Sequence, residues 1–302
     1  MSLTVILAFG ANLLVAIGKT IAAFLTGSAS MVAESAHSWA DTGNEIFLLI
    51  AERRAGREPD VRHPLGYGKD AYIWSMFAAF GLFTAGAVVS IQHGVQELID
   101  PEPASDFAIA YIVLAAAFVL EGISFVQAFR STRSTARARN RSVLRQFFSG
   151  SNPTVRAVFA EDAAALVGLA IAFLGVLLHQ LTGSPVFDAV GSIAVGVLLG
   201  VVALVLIDRN RQFLLGQAVD DEARSYALDQ LRTLPEIDRV TYLHLEFIGP
   251  ERLYLVAAVD LVGNAREDDL ALTLRAIEDR LEEQEFIFEA VLTLSASDEA
   301  SI

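Results

Sequence analysis

The sequence predicts a helical membrane domain followed by a small α+β domain. Of the 302 residues, 54% are hydrophobic and only 19% are charged, whereas charged residues supply about 25% of an ordinary soluble domain. Apolar runs of about 20 residues, the length that crosses a bilayer, recur until residue 207 and then stop. We therefore predict a membrane all-α domain of six helices over residues 1–207 and a ferredoxin-like α+β cytoplasmic domain over residues 208–302.

Six segments are long and apolar enough to span a membrane, and the loops between them differ in charge. The predicted spans cover residues 3–25, 30–51, 71–95, 107–129, 155–178 and 186–207. Five Lys or Arg residues lie between residues 53 and 69, six arginines lie between residues 130 and 145, and the alternate loops contain none. Because cytoplasmic loops carry the excess of Lys and Arg, both termini are predicted to be cytoplasmic, in a cell membrane. The arginine-rich loop is then a contact for anionic lipid, not for nucleic acid.

After residue 208 the hydrophobic pattern predicts two helices and three strands, with Gly249 and Pro250 in a turn. In chain order these elements cover residues 220–234, 240–248, 253–262, 267–283 and 286–294. The order α-β-β-α-β is typical of a two-layer domain of ferredoxin-like type. The formal net charge of −14 is concentrated here. We interpret the acidic residues as a solvated surface, with metal sensing as the alternative.

The second predicted span contains the most informative stretch, MVAESAHSWADTGNE at residues 31–45. His37 and Asp41 are four residues apart and therefore share a helix face, and Glu34 and Glu45 continue that stripe. Ionisable side chains are costly in hydrocarbon, so they face the interior of a bundle and mark an ion or proton path. An imidazole with carboxylates is also a donor set for a divalent cation. A structural polar network is the alternative interpretation.

The fifth span contains an adjacent acidic pair, Glu161 and Asp162. On a helix these side chains point about 100° apart, so each needs its own partner. Asp162 is placed to complete a site with the second span, whereas Glu161 has three candidate partners: the same cavity, an arginine or the cytoplasmic mouth. The predicted metal ligands are His37, Asp41, Asp162 and Glu161, with Glu34 and Glu45 as possible auxiliary ligands.

Two single charges, Lys19 in the first span and Glu121 in the fourth, are interpreted as a membrane-buried ion pair or as members of a proton path. A third charge, Asp188, opens the sixth span and is interpreted as an acid at a helix N-terminus.

Several chemistries are excluded by the absence of their residues. The chain has no cysteine, so thiolate metal sites, disulfides and thiol nucleophiles are excluded. It also lacks a Walker-type glycine loop and the Gly-x-Ser-x-Gly and His-Glu-x-x-His motifs. We therefore predict neither an ATP-driven pump nor an enzyme.

Three stretches resemble the cation diffusion facilitators. They are NLLVAIGKTIAAFLTGSASMVAESAHSWAD (residues 12–41), HPLGYGKDAYIW (63–74) and FDAVGSIAVGVLLG (187–200). The loop motif and the acidic pair look closest to the zinc-transporter-9-like branch. Many members have a second His/Asp-x-x-x-Asp pair in the fifth span; here Asp162 matches its second residue, but Val158 stands at the first. Glu161, Glu34, Glu45 or a water then fills the vacant ligand position.

The resemblance implies a homodimer that exchanges a cytosolic divalent cation, zinc first, for external protons. The expected partners are therefore the metal cation, the lipid bilayer and a second copy of the chain. Two alternatives stay open. One is transport of another divalent cation, such as manganese or iron; the other is a non-transporting metal sensor or partner subunit.

Overall fold

A computed structural model describes residues 3–101, 106–138, 141–263, 265–296 and 298–302. Arg139 of the arginine-rich loop lies outside these residues. The helices are α1 (Leu3–Thr26), α2 (Ala29–Ala55), α3 (Asp70–Gly81), α4 (Val89–Ile99), α5 (Phe107–Ala138), α6 (Val143–Ser149), α7 (Pro153–Thr182), α8 (Val186–Leu214), α9 (Asp221–Arg232) and α10 (Glu267–Glu282). A π-helical segment, Leu82–Val88, joins α3 to α4. The strands are β1 (Ile237–Gly249), β2 (Arg252–Leu261) and β3 (Ile287–Leu294).

Within the described residues, four helical stretches are long and apolar enough to cross a membrane. They are Asp70–Ile99, Phe107–Arg137, Pro153–Thr182 and Val186–Leu214, and they coincide with the last four predicted spans. Helices α1 and α2 lie where the first two spans are predicted. The apolar stretch found in α1 is shorter, Asn12–Thr26. Helix α2 has 27 residues but carries ionisable side chains along its length, so its composition differs from that of the other four.

The start of α2 is fixed by α8. The side chain of Asp188, in the first turn of α8, accepts a hydrogen bond from the backbone N–H of Ser30 at 3.2 Å. The Ser30 hydroxyl in turn donates to the backbone carbonyl of Asp188 at 3.0 Å. Asp188 therefore satisfies a free N–H group at the start of α2, in addition to its predicted place at the start of its own helix.

Glycine allows α4 to pack directly against the backbone of α8. A Cβ atom on Gly94 would lie 2.7 Å from the carbonyl oxygen of Ala189 and 3.1 Å from the backbone nitrogen of Ile193. The same two helices are joined by a hydrogen bond from the Ser192 hydroxyl to the carbonyl of Ser90 at 2.8 Å. Small residues are typical of such close helix contacts in membranes.

Gly94→Ala is expected to destabilise the protein by about 1–3 kcal/mol, because the new methyl group meets backbone atoms that cannot rotate away. The measurement is thermal or denaturant unfolding of the purified chain in detergent. Gly122→Ala on α5 is the matched control, since a Cβ there meets nothing within 4 Å. Equal stability of the two variants would contradict the close approach of α4 and α8.

The C-terminal elements follow the predicted order, α9-β1-β2-α10-β3. The sheet has the order β1-β2-β3; β1 pairs with β2 in antiparallel fashion, and β2 pairs with β3 in parallel. Helix α9 is capped by the Asp220 side chain, which accepts a hydrogen bond from the N–H of Ala223. Buried Leu231 of α9 and Ile277 of α10 pack with Leu255 of β2 in one core. The helices and strands that the sequence predicts as amphipathic thus bury their apolar faces in this core.

The chain divides into two compact units. One comprises Met1–Arg53 and Ile73–Arg211, and the other comprises Arg54–Tyr72 and Gln212–Ile302. The predicted boundary after residue 207 assigned all of 54–72 to the membrane domain, whereas the structure groups this loop with the C-terminal residues. A division made along the sequence cannot detect this, because the loop joins its unit through tertiary contacts.

The loop 54–72 contacts the sheet directly. A Cβ on Gly68 would lie 2.5 Å from the carbonyl oxygen of Ile248. The Lys69 ammonium donates to a Glu246 carboxylate oxygen at 2.9 Å. Although burial raises the pKa of Glu246, the hydrogen bonds and charges of Lys69 and His244 together outweigh it, so the pKa lies below its usual value.

Within the loop, Asp60 organises the turn. Its carboxylate accepts hydrogen bonds from the Tyr67 hydroxyl at 2.6 Å and from the backbone N–H groups of Arg62 and His63. These bonds, that of Tyr67 first, lower the pKa of Asp60 to about 2. The Arg57 guanidinium stacks over the Tyr67 ring, 4.2 Å from its centre. The loop is thus a structured part of its unit.

Candidate cation site

A cavity of about 80 Å³ lies among α1, α2, α5 and α7, with room for several water molecules. Its lining includes five carboxylates from three helices: Asp41, Glu45, Glu121, Glu161 and Asp162. Carboxylates gathered at such a density repel one another when all are ionised. The cavity therefore favours cations, whether protons or metal ions.

Neutral side chains hold three of these carboxylates in place. Glu45 accepts a hydrogen bond from the Asn12 amide of α1. Glu161 accepts one from the Asn44 amide at 3.0 Å. In the same way the Ser124 hydroxyl of α5 donates to Asp162 at 2.8 Å. Because these donors are uncharged, they orient the carboxylates without neutralising them.

The acidic pair of α7 therefore reaches the cavity with both of its members. The sequence left open whether Glu161 faces the cavity, an arginine or the cytoplasmic mouth; in the structure Glu161 and Asp162 both line the cavity. Separate donors on α2 and α5 satisfy the two diverging side chains. Val158, at the position where a ligand is missing from the resembled pattern, lines it as well.

His37 lies behind Asp41 instead of lining the cavity. Its side chain is fully buried, and its Nε2 atom is 3.3 Å from an Asp41 carboxylate oxygen. This contact lacks hydrogen-bond geometry, so among the described residues neither ring nitrogen has a hydrogen-bond partner. The predicted i, i+4 contact between His37 and Asp41 is present.

Glu34 is part of a separate ion pair. The Lys19 ammonium of α1 lies 3.0 Å from a Glu34 carboxylate oxygen, and both side chains are fully buried. The interpretation of Lys19 and Glu121 as an ion pair is therefore wrong, since Lys19 pairs with Glu34 and Glu121 lines the cavity. The sequence held a signal for the correct pair. Lys19 is seven residues before the end of α1 and Glu34 is five after the start of α2, so a tight hairpin brings them together.

The carboxylates do not form a ready coordination shell. Across the described ranges, no group of three His, Asp or Glu side chains lies close enough to hold a metal ion as the side chains stand. The arrangement is a cavity with carboxylates around it. Sequence reasoning missed Asn12, Ser38 and Ser124, which are neutral residues without a distinctive motif.

Residues 5–215 match the family described as the cation efflux transmembrane domain. Metal tolerance protein C4 of Arabidopsis thaliana is 37% identical over 233 residues, covering 77% of this chain and 51% of that protein. The human mitochondrial proton-coupled zinc antiporter SLC30A9 is 34% identical over 245 residues, covering 81% and 43%. The chain thus spans about half the length of these two relatives.

A more distant relative, the magnetosome protein MamB of Paramagnetospirillum magneticum, is 22% identical over 277 residues, covering 92% of this chain and 88% of that protein. The helices, the acidic cavity and these matches together define a membrane protein of the cation efflux class. The chain belongs to the cation diffusion facilitator family, near its zinc-transporter-9-like branch.

Proposed function

We propose that the chain is a proton-coupled efflux transporter of divalent metal cations, with zinc as the favoured cation. The observation that carries this proposal is the cavity lined by five carboxylates within the helical unit. The name of the human relative, a proton-coupled zinc antiporter, supports the choice of cation and of counter-ion. Ionisable groups in membrane helices generally mark such paths.

In this proposal Asp41, Asp162 and Glu161 are the anionic metal ligands, and His37 is the nitrogen ligand and proton acceptor. Imidazole and carboxylates bind metal only when deprotonated, so metal and protons compete for the same atoms. Glu45 is an auxiliary ligand because it lines the cavity. Glu34 supports the site by holding Lys19. Loading one ion then expels the other, and the helices alternate access around the cavity.

The proposed architecture has six membrane spans, with both termini on the cytoplasmic side of a cell membrane. The charge asymmetry of the loops supports this orientation. The C-terminal elements are proposed to form a ferredoxin-like domain that pairs two protomers. Their order and the three-stranded sheet support that assignment.

Two alternatives have specific support. Among the residues that the structure describes, the cavity lining contains carboxylates and no histidine, which suits a harder cation such as manganese or iron(II). The lack of three converging ligands among the described residues, with Val158 in the lining, favours a non-transporting sensor or partner subunit.

The test is cation flux into proteoliposomes of the purified chain under an imposed pH gradient. We expect gradient-driven zinc flux from the unmodified chain and background flux from Asp41→Asn, because the amide removes a charged ligand without changing its size. Glu52→Gln is the matched control, since Glu52 is an exposed acid on the same helix.

Manganese flux measured beside zinc flux ranks the two cations. If the folded dimer moves neither metal, the transporter proposal is wrong and the sensor or partner-subunit alternative takes its place.

A further inference from the structure

Among the described residues, three buried oxygen atoms without hydrogen-bond partners belong to α2 side chains at the cavity. They belong to Ser38, Asp41 and Glu45, which all line the cavity. Within the part of the chain that the structure describes, the Ser38 hydroxyl, one Asp41 oxygen and one Glu45 oxygen are buried and have no hydrogen-bond partner. Spacings of three and seven residues place these side chains on one stripe of α2.

The Ser38 hydroxyl is the most informative of the three, because the residue is 97% buried, with 3% of its surface exposed. A buried helical hydroxyl usually donates to the carbonyl four residues earlier. Thr26, Thr42 and Ser90 do so in this protein. Ser38 forgoes that bond although an unpartnered buried hydroxyl is costly. A group left in this state beside a cavity is available to a ligand.

Glu121 provides the acid on the α5 wall of the cavity. It lies one turn before Ser124, whose hydroxyl holds Asp162, and it lines the same cavity as Glu45. Helix α5 is otherwise strongly apolar in this region. A carboxylate in such a helix is costly unless it serves the cavity that it lines.

We propose that Glu121 is a further ligand of the transported divalent cation and binds it together with Glu45, across the cavity that Ser38 also lines. This inference rests on the proposed function and extends its ligand set from α2 and α7 to α5. Oxygen ligands suit hard divalent cations, so Mn²⁺ is a suitable probe beside Zn²⁺. The vacant ligand position at Val158 is then filled from a helix that the sequence motif does not include.

The experiment measures cation binding by the purified full-length chain in detergent. Thermal unfolding is recorded over a series of MnCl₂ and ZnCl₂ concentrations, since a ligand that binds the folded state raises the melting temperature. Glu121→Gln is expected to raise the Kd of the cation, fitted from the dependence of melting temperature on cation concentration, at least about tenfold, as even supporting groups of metal sites change affinity by about 10–100-fold. The melting temperature without metal should stay close to that of the unmodified chain, and Glu52→Gln should bind normally.

A double-substitution cycle provides the second measurement. The double variant that carries Glu45→Gln and Glu121→Gln should lose affinity by a smaller factor than the product of the two single-variant factors. Residues that share one ion are coupled in this way. If Glu121→Gln does not fold, Glu121→Asp keeps the charge and should bind with reduced affinity. An unchanged Kd in the folded Glu121→Gln or Glu121→Asp variant would overturn this inference alone. If neither cation stabilises the unmodified chain, the proposed function itself is contradicted.

Discussion

Replacing Lys19 with methionine is expected to destabilise the protein by about 3–5 kcal/mol, the usual cost of breaking a buried ion pair by removing one partner. Lys19 and Glu34 are both fully buried and 3.0 Å apart. The glutamate cannot turn away easily, because α7 closes around it at Gly168, where an added Cβ would lie 2.8 Å from a Glu34 oxygen. Methionine restores the length of the lysine side chain but not its charge, so Glu34 remains without its cation.

The check is the free energy of unfolding in detergent, measured with denaturant for both single and double variants. Lys19→Met with Glu34→Met should recover most of the lost stability, since replacing both partners of a buried pair with apolar groups is often neutral. If Lys19→Met alone unfolds like the unmodified chain, the pair does not contribute to stability as its burial indicates.

Asp162→Asn is expected to reduce proton-driven zinc flux to the background of protein-free vesicles, with a smaller loss for Glu161→Gln. An asparagine at 162 keeps the size of the side chain but removes a charge from the cavity. A glutamine at 161 can keep the hydrogen bond to Asn44, which the present Glu161 accepts at 3.0 Å. Because Asp41 and Asp162 remain as anionic ligands, the loss of this third carboxylate is expected to cost about 10–100-fold in affinity.

Initial rates over a range of zinc concentrations distinguish these outcomes. A weaker apparent affinity with a normal maximal rate assigns Glu161 to cation binding alone. The reverse result, in which Asp162→Asn transports normally and Glu161→Gln does not, would exchange the roles proposed for the two acids. Protease accessibility verifies the orientation of each variant, and the protein content per vesicle verifies its insertion.

The sequence was most informative where residues at helical spacing lie on the same helix. Asp41 and Glu45 share a face because they are four residues apart, and the structure places both at the cavity. The same reasoning predicted the order of the C-terminal elements, whose amphipathic patterns are independent of their neighbours. Parallel pairing of β2 with β3 depends on tertiary arrangement, and local alternation does not encode it.

Single polar residues in apolar helices were harder to place. Glu121 has no ionisable neighbour at helical spacing on α5. The sequence therefore predicts that a carboxylate here is energetically costly, but not the direction in which it points. The partner of Lys19 depends on the register between α1 and α2. The π-helical segment at Leu82–Val88 interrupts a stretch that hydropathy predicts as one regular helix. For Glu121 and Lys19, rotation or register between helices decides the outcome.

The grouping of loop 54–72 with the C-terminal elements affects how members of this family can be recombined. The chain passes between the two units three times, after Arg53, before Ile73 and after Arg211. A chimera that exchanges only residues 212–302 would present the loop with a foreign sheet, where Gly68 and Lys69 meet different neighbours. Transplanting the loop with the sheet keeps these contacts native, so the unit of exchange is discontinuous in sequence.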